Sequence, residues 1–81
     1  MTTQTSVIDD QFVAFRVRYE LERQKKTQGY LARELDTTRN WVSRRVNGQV
    51  PFTVTELARV AETLGVEITV FFPQQPNRRA S

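Results

Sequence analysis

An all-α fold, a compact bundle of about five helices, is what this sequence predicts, and three observations carry that reading. Apolar residues recur three and four positions apart in one segment after another. A hydroxyl residue stands ahead of most of these segments and a turn-forming residue behind them. The length of 81 residues leaves room for one small domain with short ends. Hydrophobic residues make up 38% and charged residues 26%, ordinary globular usage that fits neither a disordered nor a fibrous chain.

The first helix is read from Ile8, Phe12, Phe15 and Tyr19, spaced four, three and four apart, with Val13, Val17 and Leu21 beside them. Phe12, Phe15 and Tyr19 are expected in the core together with Leu31, Leu57 and Leu64. Ser6 is placed as the cap, Asp9 and Asp10 oppose the positive end of the peptide dipoles, and Lys25 and Lys26 suit the last turn. Arg18 and Glu22 have i,i+4 ion-pair spacing. Thr27 then caps a short helix over 28–35, in which Leu31 and Leu35 are four apart. Asp36 and Thr37 leave space only for a tight turn, and Asp tolerates the left-handed backbone such a stop uses.

Thr38 opens a third helix over 39–46. Its Val42 and Val46 face inward, which leaves Arg39, Asn40, Ser43 and Arg44 on the opposite, wholly polar side. Asn47 and Gly48 end it, both tolerant of positive φ. Thr53 and Glu56 have capping-box spacing and start a fourth helix that stops at Gly65. The stretch 66–72 (VEITVFF) reads as a short fifth helix. Its β-branched alternation also permits a strand, whose open edge would pair with a second copy. Of the adjacent Phe71 and Phe72, one is expected to cover the core and the other to remain at the surface as a dimer contact. The domain is therefore set at 7–72, between a flexible segment over 1–6 and a flexible basic tail over 73–81 that carries Arg78 and Arg79.

Composition narrows the function. The sequence has no cysteine and no histidine, so disulfides, zinc ligand sets, thiol nucleophiles and imidazole acid–base chemistry are all excluded. The acids closest in sequence are one or two positions apart and do not face each other on a helix. The chain is thus expected not to be an enzyme and to need no cofactor or metal. No apolar run approaches the roughly 20 residues that cross a bilayer, and residues 1–6 are polar, so a cytoplasmic protein without membrane contact is expected. Twelve Lys and Arg against nine Asp and Glu give a formal net charge of +3. The excess is concentrated around the second and third helices, at Arg16, Arg18, Arg23, Lys25, Lys26, Arg33, Arg39, Arg44 and Arg45.

Two short helices joined by a turn of about three residues match the helix-turn-helix unit. The run TQGYLARELDTTRNWVSRRVNG, followed by TVTELARVAETLGV, resembles the Cro/repressor (XRE-type) helix-turn-helix family and is most like a small phage Cro or repressor. The likeness covers residues 8–72 and implies a lambda-repressor-like fold that binds double-stranded DNA as a transcriptional regulator. It also implies site roles. Arg39, Asn40, Ser43 and Arg44 match base-reading positions, where Arg suits guanine and Asn suits adenine. Gln28 matches the residue that holds a phosphate at a helix N-terminus. Thr38, Asn47 and Gln49 are assigned to the phosphate backbone as well, as is Arg45.

The sequence departs from the family pattern at Trp41, usually small, Arg45, usually large and apolar, Val46, often acidic, and Asp36, often Gly. Two readings of Trp41 and Arg45 stay open. In one, the guanidinium lies over the indole on the helix flank; in the other, Trp41 touches DNA and Arg45 a phosphate. The partner implied is a near-palindromic operator bound by a homodimer. An antitoxin-type protein-binding module that also binds its own promoter is the alternative.

Overall fold

Four α-helices and one 3₁₀ turn follow one another in the computed structural model, which describes residues 10–73. They are α1 (Asp10–Arg23), α2 (Gln28–Glu34), α3 (Arg39–Val46), α4 (Val54–Leu64) and the turn Ile68–Phe71. No strand occurs among the described residues. The expected cap at Ser6, the residues Ile8 and Asp9, the segment 1–6 and all of the expected 73–81 tail but Pro73 lie outside the described residues.

Local chemistry explains where most helices start and stop. Thr27, Thr38 and Thr53 adopt extended backbone, and each hydroxyl accepts a hydrogen bond from the amide three residues on, at 2.9, 3.0 and 3.1 Å. Each thus satisfies an amide that the helix leaves without an internal partner. At α4 the Glu56 carboxylate returns the bond to the Thr53 amide at 2.9 Å and completes the capping box. Gly65 closes α4 in the left-handed region at φ 70°, and Asp36 takes the same region at φ 59° between α2 and α3. After α3 only Gly48, at φ 80°, adopts positive φ; Asn47 stays at −93°.

The start of the chain required correction. The buried side of α1 is Val13, Ala14, Val17 and Leu21, while Phe15 is 50% and Tyr19 42% exposed and Phe12 is half-buried. Two apolar stripes run along this helix. The one with the smaller side chains allows the close approach that the other helices need, which leaves the rings outside. There they stack in a ladder, Phe12 to Phe15 at 6.5 Å and Phe15 to Tyr19 at 6.4 Å between centroids. Arg16 covers the Tyr19 ring at 4.7 Å. The helix also ends earlier than expected, at Arg23, and Lys25 turns the chain with φ 58°.

Arg18 does not pair with Glu22. It donates to the Val46 carbonyl at the end of α3, while Gln24 donates to the Leu64 carbonyl at the end of α4 at 2.8 Å. Two helix C-termini are thereby tied to the first helix through carbonyls that would otherwise lack partners.

The ion pairs of α1 converge instead on Glu20, a carboxylate only 3% exposed. It accepts from Arg23 Nη2 at 2.6 Å and Arg23 Nε at 3.0 Å, and from Arg16 Nη2 at 3.4 Å. The hydrogen bond to Glu20, and then its charge, hold the Arg23 guanidinium more firmly protonated than usual. Arg16 Nε is buried with no partner among the described residues, so Glu20 is what compensates this half-buried cation. Glu20→Ala should therefore cost about 1–3 kcal/mol, less than a fully buried pair because both arginines reach water. Urea unfolding of the two proteins measures this, and a loss below about 0.5 kcal/mol would mean that the cluster is a solvated surface pair.

The core joins α1, α2, α3 and α4 around Leu31, Val42, Val46, Leu57 and Val60, and Phe71 closes it from below. Segment 66–72 becomes a single 3₁₀ turn rather than a full helix or a strand. Gly65 and Pro73 leave only seven residues between them, and Phe71 has to reach the interior within that length. Without a strand edge, pairing of this segment with a second copy through strand hydrogen bonds drops out. Phe71 is buried as expected of one of the pair, whereas Phe72 is half-buried against the core and is not the ring expected to remain at the surface.

Candidate nucleic-acid interface

Helices α2 and α3 pack closely through Leu31, Leu35 and Val42, with the turn at Asp36 between them. This is the geometry of a helix-turn-helix, in which the second helix stands proud of the bundle. Val42 and Val46 are the residues of α3 that are fully buried beneath it.

What α3 offers outward is polar and cationic. Arg39, Asn40 and Arg44 are exposed, and none of their side chains forms a hydrogen bond or ion pair with another described residue. Ser43 is half-buried and accepts from Asn47 Nδ2 at 3.3 Å, a contact across one helical turn that orients both. Thr38 and Gln49 are exposed at the two ends of α3, and the Thr38 oxygen is engaged with the Trp41 amide. Gln28 is half-buried at the first position of α2, beside a shallow cleft shared with Arg18, Leu21, Glu22 and Lys26. The amides of Gln28 and Gly29 precede the first internal bond of α2, from Leu31 N to Thr27 O, and are available to an anion.

The structure separates the sequence-predicted residues into two groups. Arg39, Asn40, Ser43 and Arg44, with Thr38, Asn47 and Gln49 at the ends, occupy the outward side of α3. Trp41 and Arg45 do not join them. The Arg45 guanidinium lies 3.8 Å from the Trp41 ring centroid, its Nε donates to Glu56 Oε1 at 3.3 Å, and its Nη1 donates to the Trp41 carbonyl at 3.3 Å. Trp41 meets Phe52 edge-on at 6.5 Å. Of the two readings of this pair, the packed one is found in the free protein, with Arg45 Nε and Nη1 both engaged within it.

The basic cluster is similarly thinned. Arg16, Arg18, Arg23 and Arg45 are bonded to other groups of the protein, Arg23 while still exposed, and Lys26 lies 4.5 Å from the Tyr30 ring. Lys25, Arg33, Arg39 and Arg44 remain exposed around the motif, as does Lys26 beside its ring. Sequence reasoning overlooked Glu20 and the second role of Glu56. Capping-box spacing located Glu56, but nothing local to it signals a bond to a residue eleven positions earlier. Among the described residues no group of His, Cys, Asp or Glu is arranged to hold a metal ion, and no helix is long and apolar enough to cross a membrane.

Comparison with known proteins agrees with this architecture. A helix-turn-helix family model matches residues 17–71. No curated protein matches the sequence. Among solved structures, hydroxypropylphosphonic acid epoxidase from S. wedmorenis superposes with a TM-score of 0.74 at 28% identity, covering 84% of this chain and 36% of that one. A complex of the same enzyme with fosfomycin gives a TM-score of 0.73 at 26% identity and covers 94% of this chain and 46% of that one. The chain thus spans less than half the length of the epoxidase. A hypothetical transcription factor from Neisseria has a TM-score of 0.72 at 21% identity, covers 95% of this chain and 93% of its own, and shares the fold.

Proposed function

Because the chain belongs to the helix-turn-helix family of the Cro/repressor (XRE) type, we propose that it is a sequence-specific double-stranded DNA-binding transcriptional regulator. The observation that carries this reading is the outward side of α3, where the side chains of Arg39, Asn40 and Arg44 stand exposed and without partners among the described residues. A helix placed in the major groove needs such groups. Arg39 and Arg44 suit bidentate bonding to guanine O6 and N7, Asn40 to adenine N6 and N7, and Ser43 accepts or donates to either. Gln28, Thr38, Asn47 and Gln49 fix the register on the phosphate backbone. In this reading the protein is a cytoplasmic repressor that occludes polymerase, and it binds a near-palindromic operator as a homodimer whose half-sites are about 34 Å apart. No catalytic step is assigned to it.

The likeness to an epoxidase favours a second reading, in which the same unit is a scaffold within a protein that does other chemistry. Selection of duplexes from a random pool, followed by binding at two salt concentrations, distinguishes the two. A regulator should enrich a related set of sequences and bind them about 10³-fold or more tighter than random duplex at physiological salt. Its log affinity should fall linearly with log salt. A scaffold should enrich none.

A further inference from the structure

The outward groups of α3 can read DNA only if the helix keeps one rotation on the bundle, and the valines alone do not fix it. Val42 and Val46 lie one above the other along a single line, and both are fully buried. Two contacts on one line resist translation but leave rolling about that line weakly opposed. A helix of eight residues adds little stiffness of its own.

At 3.6 residues per turn, Trp41 and Arg45 lie on the flank, about 100° from the valine line and opposite the flank that carries Ser43 and Asn47. They are in the right place to stop a roll. The Arg45 guanidinium is gripped from three sides, by the Trp41 ring at 3.8 Å, the Trp41 carbonyl at 3.3 Å and Glu56 Oε1 at 3.3 Å. The same Glu56 oxygen accepts the Thr53 amide at 2.9 Å and is therefore anchored to the start of α4. Trp41 is backed edge-on by Phe52, which precedes that start. Flank and anchor form one closed set of contacts in which Arg45 is only 16% exposed.

We propose that Arg45 is a positioning residue for DNA recognition, which locks the rotation of α3 against the capping box of α4 through Trp41 and Glu56. This rests on the DNA-binding reading above. It gives a reason for two of the four departures from the family pattern: a large ring at 41 and a cation at 45 act together, with Glu56 as their anchor. The planar fork matters as much as the charge, because it stacks on the indole while donating in two directions, which an ammonium cannot do.

Arg45→Lys separates positioning from phosphate contact. A phosphate ligand would be largely preserved by lysine, whereas the lock would fail. Using a duplex selected by the wild-type protein and a random duplex of equal length, the variant should lose about tenfold in preference, the equivalent of one base contact. The slope of log affinity against log salt should stay the same. In Arg45→Ala the slope should also stay unchanged, where loss of a phosphate contact would lower it by about one.

The free protein supplies an independent readout. Trp41 is the sole tryptophan of the sequence, so its fluorescence should shift in Arg45→Lys and in Glu56→Gln, while Glu56→Gln keeps an acceptor for the Thr53 amide. A slope that falls in Arg45→Ala, wild-type preference in Arg45→Lys, or unaltered fluorescence in both variants would overturn the proposal. Failure of the wild-type protein to select any duplex would overturn the DNA-binding reading instead, with the fluorescence result still deciding the lock.

Discussion

Phe71→Ala should cost about 3–5 kcal/mol, enough to remove most of the stability of a domain this small. Phe71 is the largest fully buried side chain, and it fills the space between α1 and α4. No other residue of the 3₁₀ turn reaches as deep, so alanine would leave a cavity while the turn lost its anchor. Each kcal/mol moves the midpoint of a 60–100-residue domain by about 4–8 °C, and thermal unfolding should shift by roughly 12–40 °C. Phe15→Ala makes the contrast, since that ring is half exposed and its loss should change stability by no more than about 0.5 kcal/mol beyond its ring contacts. Equal effects of the two substitutions would place Phe15 in the core and contradict the packing of α1.

That contrast marks the boundary of what the sequence makes legible. Starts and stops were readable because a cap is a local matter: Thr27, Thr38 and Thr53 each bond within three residues, and Gly65 needs only its own backbone. The outward side of α3 was equally readable, since two valines four apart settle which side is buried. The face of α1 was not. It has two apolar stripes, and the choice between aromatics and valines depends on how closely its neighbours approach, which no window of α1 contains.

The same holds for the long-range donors. Arg18 meets a carbonyl 28 residues away and Gln24 one 40 residues away. Arg45 finds Glu56 only because α3 and α4 come together. Segment 66–72 has a pattern that fits helix and strand alike; burial of Phe71, a tertiary event, decides it. Fold class and the outward side of α3 thus follow from periodicity and capping, whereas the fate of individual arginines follows from contacts made after folding.

The double substitution Arg39→Ala with Arg44→Ala should abolish recognition while leaving the fold intact. Each bidentate contact to guanine contributes about 1–3 kcal/mol of discrimination, so affinity for a selected duplex should fall by at least roughly thirtyfold. Binding to random duplex should weaken much less, because only the two charges are lost and not the amides of α2 or the phosphate contacts proposed for Gln28, Thr38, Asn47 and Gln49. Unfolding should be unchanged within about 0.5 kcal/mol, since both side chains are exposed and neither bonds to another described residue. The single variants separate the two residues. Loss of preference confined to one base position per arginine would identify the position each reads, and Asn40→Ala should relax an adenine position in the same way. Competition binding with a set of single-base duplex variants measures all three. If the double variant kept the wild-type preference, the outward side of α3 would not be the reading surface, however well exposed it is, and the domain would be a helix-turn-helix put to a different use.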